Sequence, residues 1–80
     1  MNMYIGNLNY NVKEPDLREV MEEYGTVDSI KVITDRYSGK SKGFAFVEMP
    51  NHAEARKAIN ELNGAEYEGR SMVVKEAISR

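Results

Sequence analysis

The stretch Lys42-Gly43-Phe44-Ala45-Phe46-Val47-Glu48-Met49 constrains the fold more than any other part of the chain. In an extended strand successive side chains point to opposite faces. Gly43, Ala45, Val47 and Met49 therefore share one face, and Lys42, Phe44, Phe46 and Glu48 share the other. The first face is small and apolar and reads as buried. The second sets two aromatic rings between a lysine and a glutamate. Reversing the faces would bury Lys42 and Glu48 while exposing Val47 and Met49, and unpaired charge is expensive to remove from water. The rings are expected on an open sheet face, where an apolar patch marks a binding surface.

A second stretch repeats the pattern near the start. Within Asn2-Met3-Tyr4-Ile5-Gly6, Met3 and Ile5 fall on one side and Tyr4 on the other, adding a third ring. A flat partner suits such a face, and nucleobases stack on sheet aromatics in this way. The hexamer Met3-Tyr4-Ile5-Gly6-Asn7-Leu8, followed by the octamer 42–49, resembles the two ribonucleoprotein motifs of the RNA recognition motif family. The octamer follows that family's pattern through its seventh position. At the eighth, Met49 stands where the family has Phe or Tyr; by parity it points into the core, so the departure bears on packing. The resemblance runs over nearly all 80 residues and includes the small bacterial members. It implies that the first and third strands lie side by side at the sheet centre, bringing Tyr4 next to Phe44 and Phe46. It further implies that Tyr4 and Phe46 each stack one base, that Phe44 packs against sugars, and that Lys42 contacts a phosphate.

The rest of the chain reads as support for this face. Residues 7–13 form a loop, after which Leu17, Val20, Met21 and Tyr24 recur at helical spacing and give a first helix from roughly Glu14 to Tyr24. Pro15 suits its first turn, acids suit its positive end, and Gly25 supplies a left-handed stop; Lys13 is a poor N-cap. A second strand spans Val27 to Thr34, with Ile30 and Val32 on one side and Lys31 and Ile33 on the other. Residues 35–41 form a mobile hairpin loop with Ser38-Gly39 as its turn signal. Pro50 ends the central strand, and Asn51 with Glu54 makes a capping box for a second helix striped by Ala55, Ala58, Ile59 and Leu62. Asn63-Gly64 stops that helix, and residues 65–70 read as a small turn or hairpin. In a last strand Met72 and Val74 alternate with Ser71, Val73 and Lys75. The predicted class is α+β: a ferredoxin-like β-α-β-β-α-β sandwich in one domain over residues 1–80, with a four-stranded antiparallel sheet and both helices on one face.

Parity extends the candidate site. Lys31, Ile33, Val73 and Lys75 share the open face with the rings, as do Glu48 and Asn2, the latter placed to bond a base edge. Arg36 and Lys40 sit on the loop that leads into the central strand. Gly6 and Gly43 are expected to keep the strands flat beneath the rings. His52, the single histidine, falls beside a helix cap and reads as structural or as an idle surface residue, and Tyr24 and Tyr67 read as core or helix-edge residues.

Charge agrees with this placement. Net charge is −2, which argues against a protein that grips polyanions by bulk electrostatics. Residues 29–47, however, hold Lys31, Arg36, Lys40 and Lys42 against Asp35 alone, a balance of +3, whereas residues 1–28 come to −4. The positive segment coincides with the aromatic strand and its loop. There is no cysteine, so disulfides and thiolate metal sites are excluded and a reducing compartment is expected. No stretch approaches the ~20 apolar residues of a membrane span, and the chain opens on a strand-like segment instead of a basic-then-apolar leader. A cytoplasmic monomer without cofactor or metal is expected.

Three function classes follow. The first is a single-stranded RNA-binding module, with single-stranded DNA as an alternative ligand because stacking does not by itself read the 2′-hydroxyl. The second is an enzyme on the same fold, such as a small acyl phosphate hydrolase, but no nucleophile-base pair can be placed. The third is a protein-interaction module using a helix face or the sheet, for which retention of all three rings is the adverse sign.

Overall fold

A computed structural model describes residues 1–77. Its sheet is set up by the alternation just described. Strands β1 (Asn2–Gly6), β2 (Ser29–Thr34), β3 (Ser41–Glu48) and β6 (Val73–Ala77) lie in the order β2-β3-β1-β6, with every neighbouring pair antiparallel. Helices α1 (Glu14–Glu22) and α2 (His52–Leu62) cover one face, α1 against β2 and α2 against β6. Two-residue strands β4 (Glu66–Tyr67) and β5 (Arg70–Ser71) pair as a separate hairpin. The observed class is the expected ferredoxin-like α+β sandwich.

The core lies between sheet and helices. Met3, Ile5, Ala45, Val47 and Val74 point into it from the strands, and Leu17, Met21, Ala55, Ala58 and Leu62 meet them from the helices. Met49, one residue past β3, is 0% exposed, as its parity requires. No polar or charged residue is buried among the described residues, so this core carries no unpaired charge. The opposite face of the sheet has no helix over it.

Helix ends show where local chemistry departs from the sequence reading. Helix α1 stops at Glu22, two residues early, and finishes in a tight turn with Tyr24 N–H donating to the Met21 carbonyl at 3.0 Å. Gly25 has φ 155; the expected αL stop is absent. At the other end Lys13 has no acceptor to offer as a cap, and only the reciprocal half of the box forms, its N–H donating to Asp16 Oδ2 at 3.0 Å. Asn51 does cap α2, accepting the Glu54 N–H at 3.0 Å. The Glu54 carboxylate turns away from that box and accepts the Thr26 N–H at 3.2 Å, pinning the α1–β2 connection to the start of α2. Gly64, with φ 85, provides the left-handed residue after α2.

Gly43 overturns one expectation. It does not lie flat: its φ is 84, inside β3. Between the pairs Val32↔Ala45 and Thr34↔Ser41, β3 sets Lys42, Gly43 and Phe44 against Ile33 alone, so the strand is bulged there. The Gly43 carbonyl accepts Leu8 N–H at 2.8 Å, and a Cβ at this position would lie 3.1 Å from the Leu8 carbonyl oxygen and 3.0 Å from the Tyr10 ring. Left-handed backbone costs a non-glycine residue about 1–2 kcal/mol. Gly43→Ala is expected to lower stability by at least that amount, read as the midpoint of urea unfolding. A midpoint equal to wild type would mean that the bulge relaxes freely.

Candidate nucleic-acid interface

The registers fix what the open face presents. Tyr4 pairs with Phe46 on one side and Lys75 on the other, and Phe46 pairs in turn with Lys31. One rung of the sheet therefore reads Lys31-Phe46-Tyr4-Lys75, two rings between two ammonium groups. The adjoining rung reads Ser29-Glu48-Asn2-Ala77. Phe44, two residues before Phe46, completes the aromatic group.

The three rings form one cluster. Tyr4 and Phe44 are stacked at 5.8 Å between centroids with 30° between planes. Tyr4–Phe46 at 5.9 Å and Phe44–Phe46 at 6.1 Å are edge-to-face, the arrangement favoured by the ring quadrupole. Phe46 is 42% exposed, whereas Tyr4 and Phe44 are half-buried by their neighbours. Lys75 Nζ lies 5.3 Å from the Tyr4 centroid, within reach of a cation–π contact. Beneath the cluster, a Cβ on Gly6 would collide with the Tyr4 ring. Gly6 thus lets that ring lie down over β1.

Of the sequence candidates, Asn2, Tyr4, Lys31, Phe44, Phe46, Glu48, Val73 and Lys75 are brought together on the sheet. Val73, 43% exposed, pairs with Gly6 at the far end of β1. Ile33 falls at the bulge, opposite the Lys42–Phe44 segment, and is half-buried. Strict alternation is broken at Gly43, so parity does not carry Lys42 onto the same face as Phe44. Lys42 is exposed, and its charge helps to hold the Asp35 carboxyl below the usual carboxylate range. The larger cause of that lowering is donation from the Ser38 and Tyr37 backbone N–H groups to Asp35 Oδ1, at 3.0 and 2.8 Å.

Arg36 and Lys40 stand apart from the rungs, in a loop that carries its own hydrogen bonds. Asp35 N–H donates to the Lys40 carbonyl at 2.7 Å and Gly39 N–H to the Asp35 carbonyl at 2.8 Å. Arg36 lies over the exposed Tyr37 ring, 5.7 Å from its centroid. The hairpin loop read from sequence closes on Asp35.

Ser29 shares this surface beside Glu48, and Arg70 reaches the end of β1; neither is among the candidates read from sequence. Ser29 precedes Lys31 by two within the expected strand Val27 to Thr34, so the same parity places it on the open face. Arg70 has no such signal: its NH2 group donates to Asn7 Oδ1 at 2.7 Å, while Asn7 Nδ2 donates to the Ser71 carbonyl at 2.7 Å. That pair ties the β4–β5 hairpin to the end of β1, a contact between residues more than sixty positions apart in sequence.

A β-α-β-β-α-β sandwich whose open sheet face carries clustered rings between lysines is a stacking module, one surface built to meet planar groups. The chain belongs to the RNA recognition motif family, which matches residues 3–73. It is 46% identical over 80 residues to RbpA of Synechocystis sp., covering all of this chain and 79% of that protein. To RbpD of a Nostoc sp. it is likewise 46% identical, covering 85% of that protein. Among solved structures, that of RNA-binding protein PG1 superposes with a TM-score of 0.97 at 54% identity, covering 100% of this chain and 96% of that one. The RRM of Rna15 with bound RNA (GU) superposes with a TM-score of 0.88 at 26% identity, covering 98% and 83%.

Proposed function

We propose that this chain is a single-stranded RNA-binding protein that holds its ligand by stacking bases on Tyr4 and Phe46, with Phe44 against the sugar backbone between them. The observation that carries this reading is the rung Lys31-Phe46-Tyr4-Lys75: each stacking ring has its own cation beside it, placed for the phosphates of the bases it receives. The similarity to RNA-binding protein PG1 and to an RRM with bound RNA supports it. Lys42 and one of Arg36 and Lys40 supply further charge at the loop end of β3, and Asn2 and Glu48 supply polar groups for base edges. Single-stranded DNA fits the same rings, with weaker binding expected wherever a 2′-hydroxyl is contacted.

The protein acts as a monomeric binding module in the cytoplasm, without catalysis, metal or cofactor. No helix among the described residues is long and apolar enough to cross a membrane, and a surface of net charge −2 is poorly suited to anionic lipid.

Salt dependence tests the balance between stacking and charge. Lys31, Lys42 and Lys75, with at most one loop cation, neutralise roughly three phosphates, which gives a log-log slope of about −2 at ~0.7 per phosphate on a single strand. Two stacked bases at ~1–3 kcal/mol each, less the cost of ordering the strand, place affinity for a short oligonucleotide near micromolar. Duplex should bind much more weakly because its bases are already stacked. Fluorescence titration of single-stranded and duplex RNA across a salt series decides the matter. A slope steeper than about −5, or equal affinity for duplex, would place binding on a basic surface instead of the rings.

A further inference from the structure

Beside Phe46 the open face is not flat. A groove of about 310 Å³ runs along the Ser29-Glu48-Asn2 rung, lined also by Lys31, Phe46 and Ala77, a size at the lower end of small-ligand sites, roughly 300–1,000 Å³. Glu48 is the acidic side chain of its lining. Glu48 pairs directly with Asn2 on β1 and with Ser29 on β2. The ion pairs among the described residues are Arg18–Glu22 and Lys57–Glu61, so no cation neutralises Glu48.

A free carboxylate next to a stacking ring opposes the approach of phosphate, and its position needs a compensating use. An ionised carboxylate is an acceptor only, with two oxygens side by side. The exposed edges of the four bases answer it differently. Guanine alone presents two adjacent donors, N1–H and the N2 amino group. Uracil presents one N–H between two carbonyl oxygens, which the carboxylate would repel. Cytosine and adenine each present an amino group next to a ring-nitrogen lone pair, so one carboxylate oxygen would face an acceptor. Guanine O6, on the same edge, needs a donor; Lys31, which pairs with Phe46 and lines the groove, supplies one.

We propose that Glu48 makes this groove selective for guanine: the base stacks on Phe46 while its N1–H and N2 amino group donate to the two Glu48 oxygens and O6 accepts one N–H of Lys31 Nζ, whose other two remain for phosphate. The inference rests on the RNA-binding reading above and adds a base identity to it.

The test uses the whole chain and a short uridine oligonucleotide carrying one guanosine, compared with the same strand carrying inosine, adenosine or cytidine there. Bidentate base contacts discriminate by about tenfold or more against a wrong base. Wild-type protein is expected to bind the guanosine strand about tenfold more tightly than the adenosine or cytidine strands. Inosine, which lacks only the N2 amino group, should fall between. Glu48→Gln, a change at an exposed position, is expected to bind all four strands within about twofold of one another and the all-uridine strand no more weakly than wild type, since a negative charge has gone. Equal binding of guanosine and inosine strands by wild type, or a guanosine preference that survives in Glu48→Gln, overturns the proposal while leaving RNA binding intact. Failure of wild type to bind any single strand would bring down both readings.

Discussion

Replacing Tyr4 and Phe46 together by alanine is expected to reduce affinity for single-stranded RNA by about two orders of magnitude or more. Each stacked base contributes ~1–3 kcal/mol by alanine substitution, and 1.4 kcal/mol is a factor of ten. The rings touch each other at 5.9 Å, so the two losses will not add in full; each single variant should show most of its own range. The fold survives because the rings stand on the face without helices. What stability is lost comes from edge-to-face contacts worth ~0.5–1.5 kcal/mol each, well short of unfolding a domain whose core side chains are untouched. Circular dichroism checks the fold and fluorescence titration the affinity. A folded double variant with wild-type affinity would end the stacking model of recognition.

Met49→Ala should behave in the opposite way. The side chain is fully buried, and truncating a buried methionine costs about 2–5 kcal/mol through lost transfer energy and the cavity left behind. For a domain of this size each kcal/mol lowers the melting temperature by ~4–8 °C, so a fall of about 10 °C or more is expected. Affinity measured at a temperature where the variant remains folded should stay close to wild type. A wild-type melting temperature would contradict the inward orientation of Met49 and, with it, the division of β3 into two faces.

Much of this architecture was legible because β3 carries its instruction in side-chain size. Alanine and valine on one side, phenylalanine on the other, leave a single acceptable orientation, and Tyr4 on β1 follows by the same rule. From those two strands the open face and its rings could be written down, and the same parity on β2 and β6 adds Lys31 and Lys75. The departures have a common cause. Alternation presumes an unbroken strand, and Gly43 at φ 84 interrupts it, so counting alone does not set where Lys42 and its neighbour Ile33 point. Counting also cannot see that the Glu54 carboxylate prefers Thr26 N–H to its own helix cap, since that donor comes from 28 residues away. Arg70 escaped for the same reason: its partner Asn7 lies across the fold. Ser29 and Glu48 were individually visible, but only the strand registers set them side by side with Asn2 as a groove.

The position of β1 between β3 and β6 has a further consequence, for how the chain reaches this state. Its residues are made before those of β3 and β6, yet Ile5 finds its partners at Ala45 and Val74. While a ribosome is still adding the intervening segments, Met3, Ile5 and the Tyr4 ring have no sheet to join, and their apolar surface stays available to other chains. The second edge of β1 closes only when β6 has emerged, so the sheet assembles through pairings distant in sequence, which fold more slowly than local ones. A growing chain halted after α2 would hold every ring of the binding face and still lack the strand that seats Lys75 beside Tyr4.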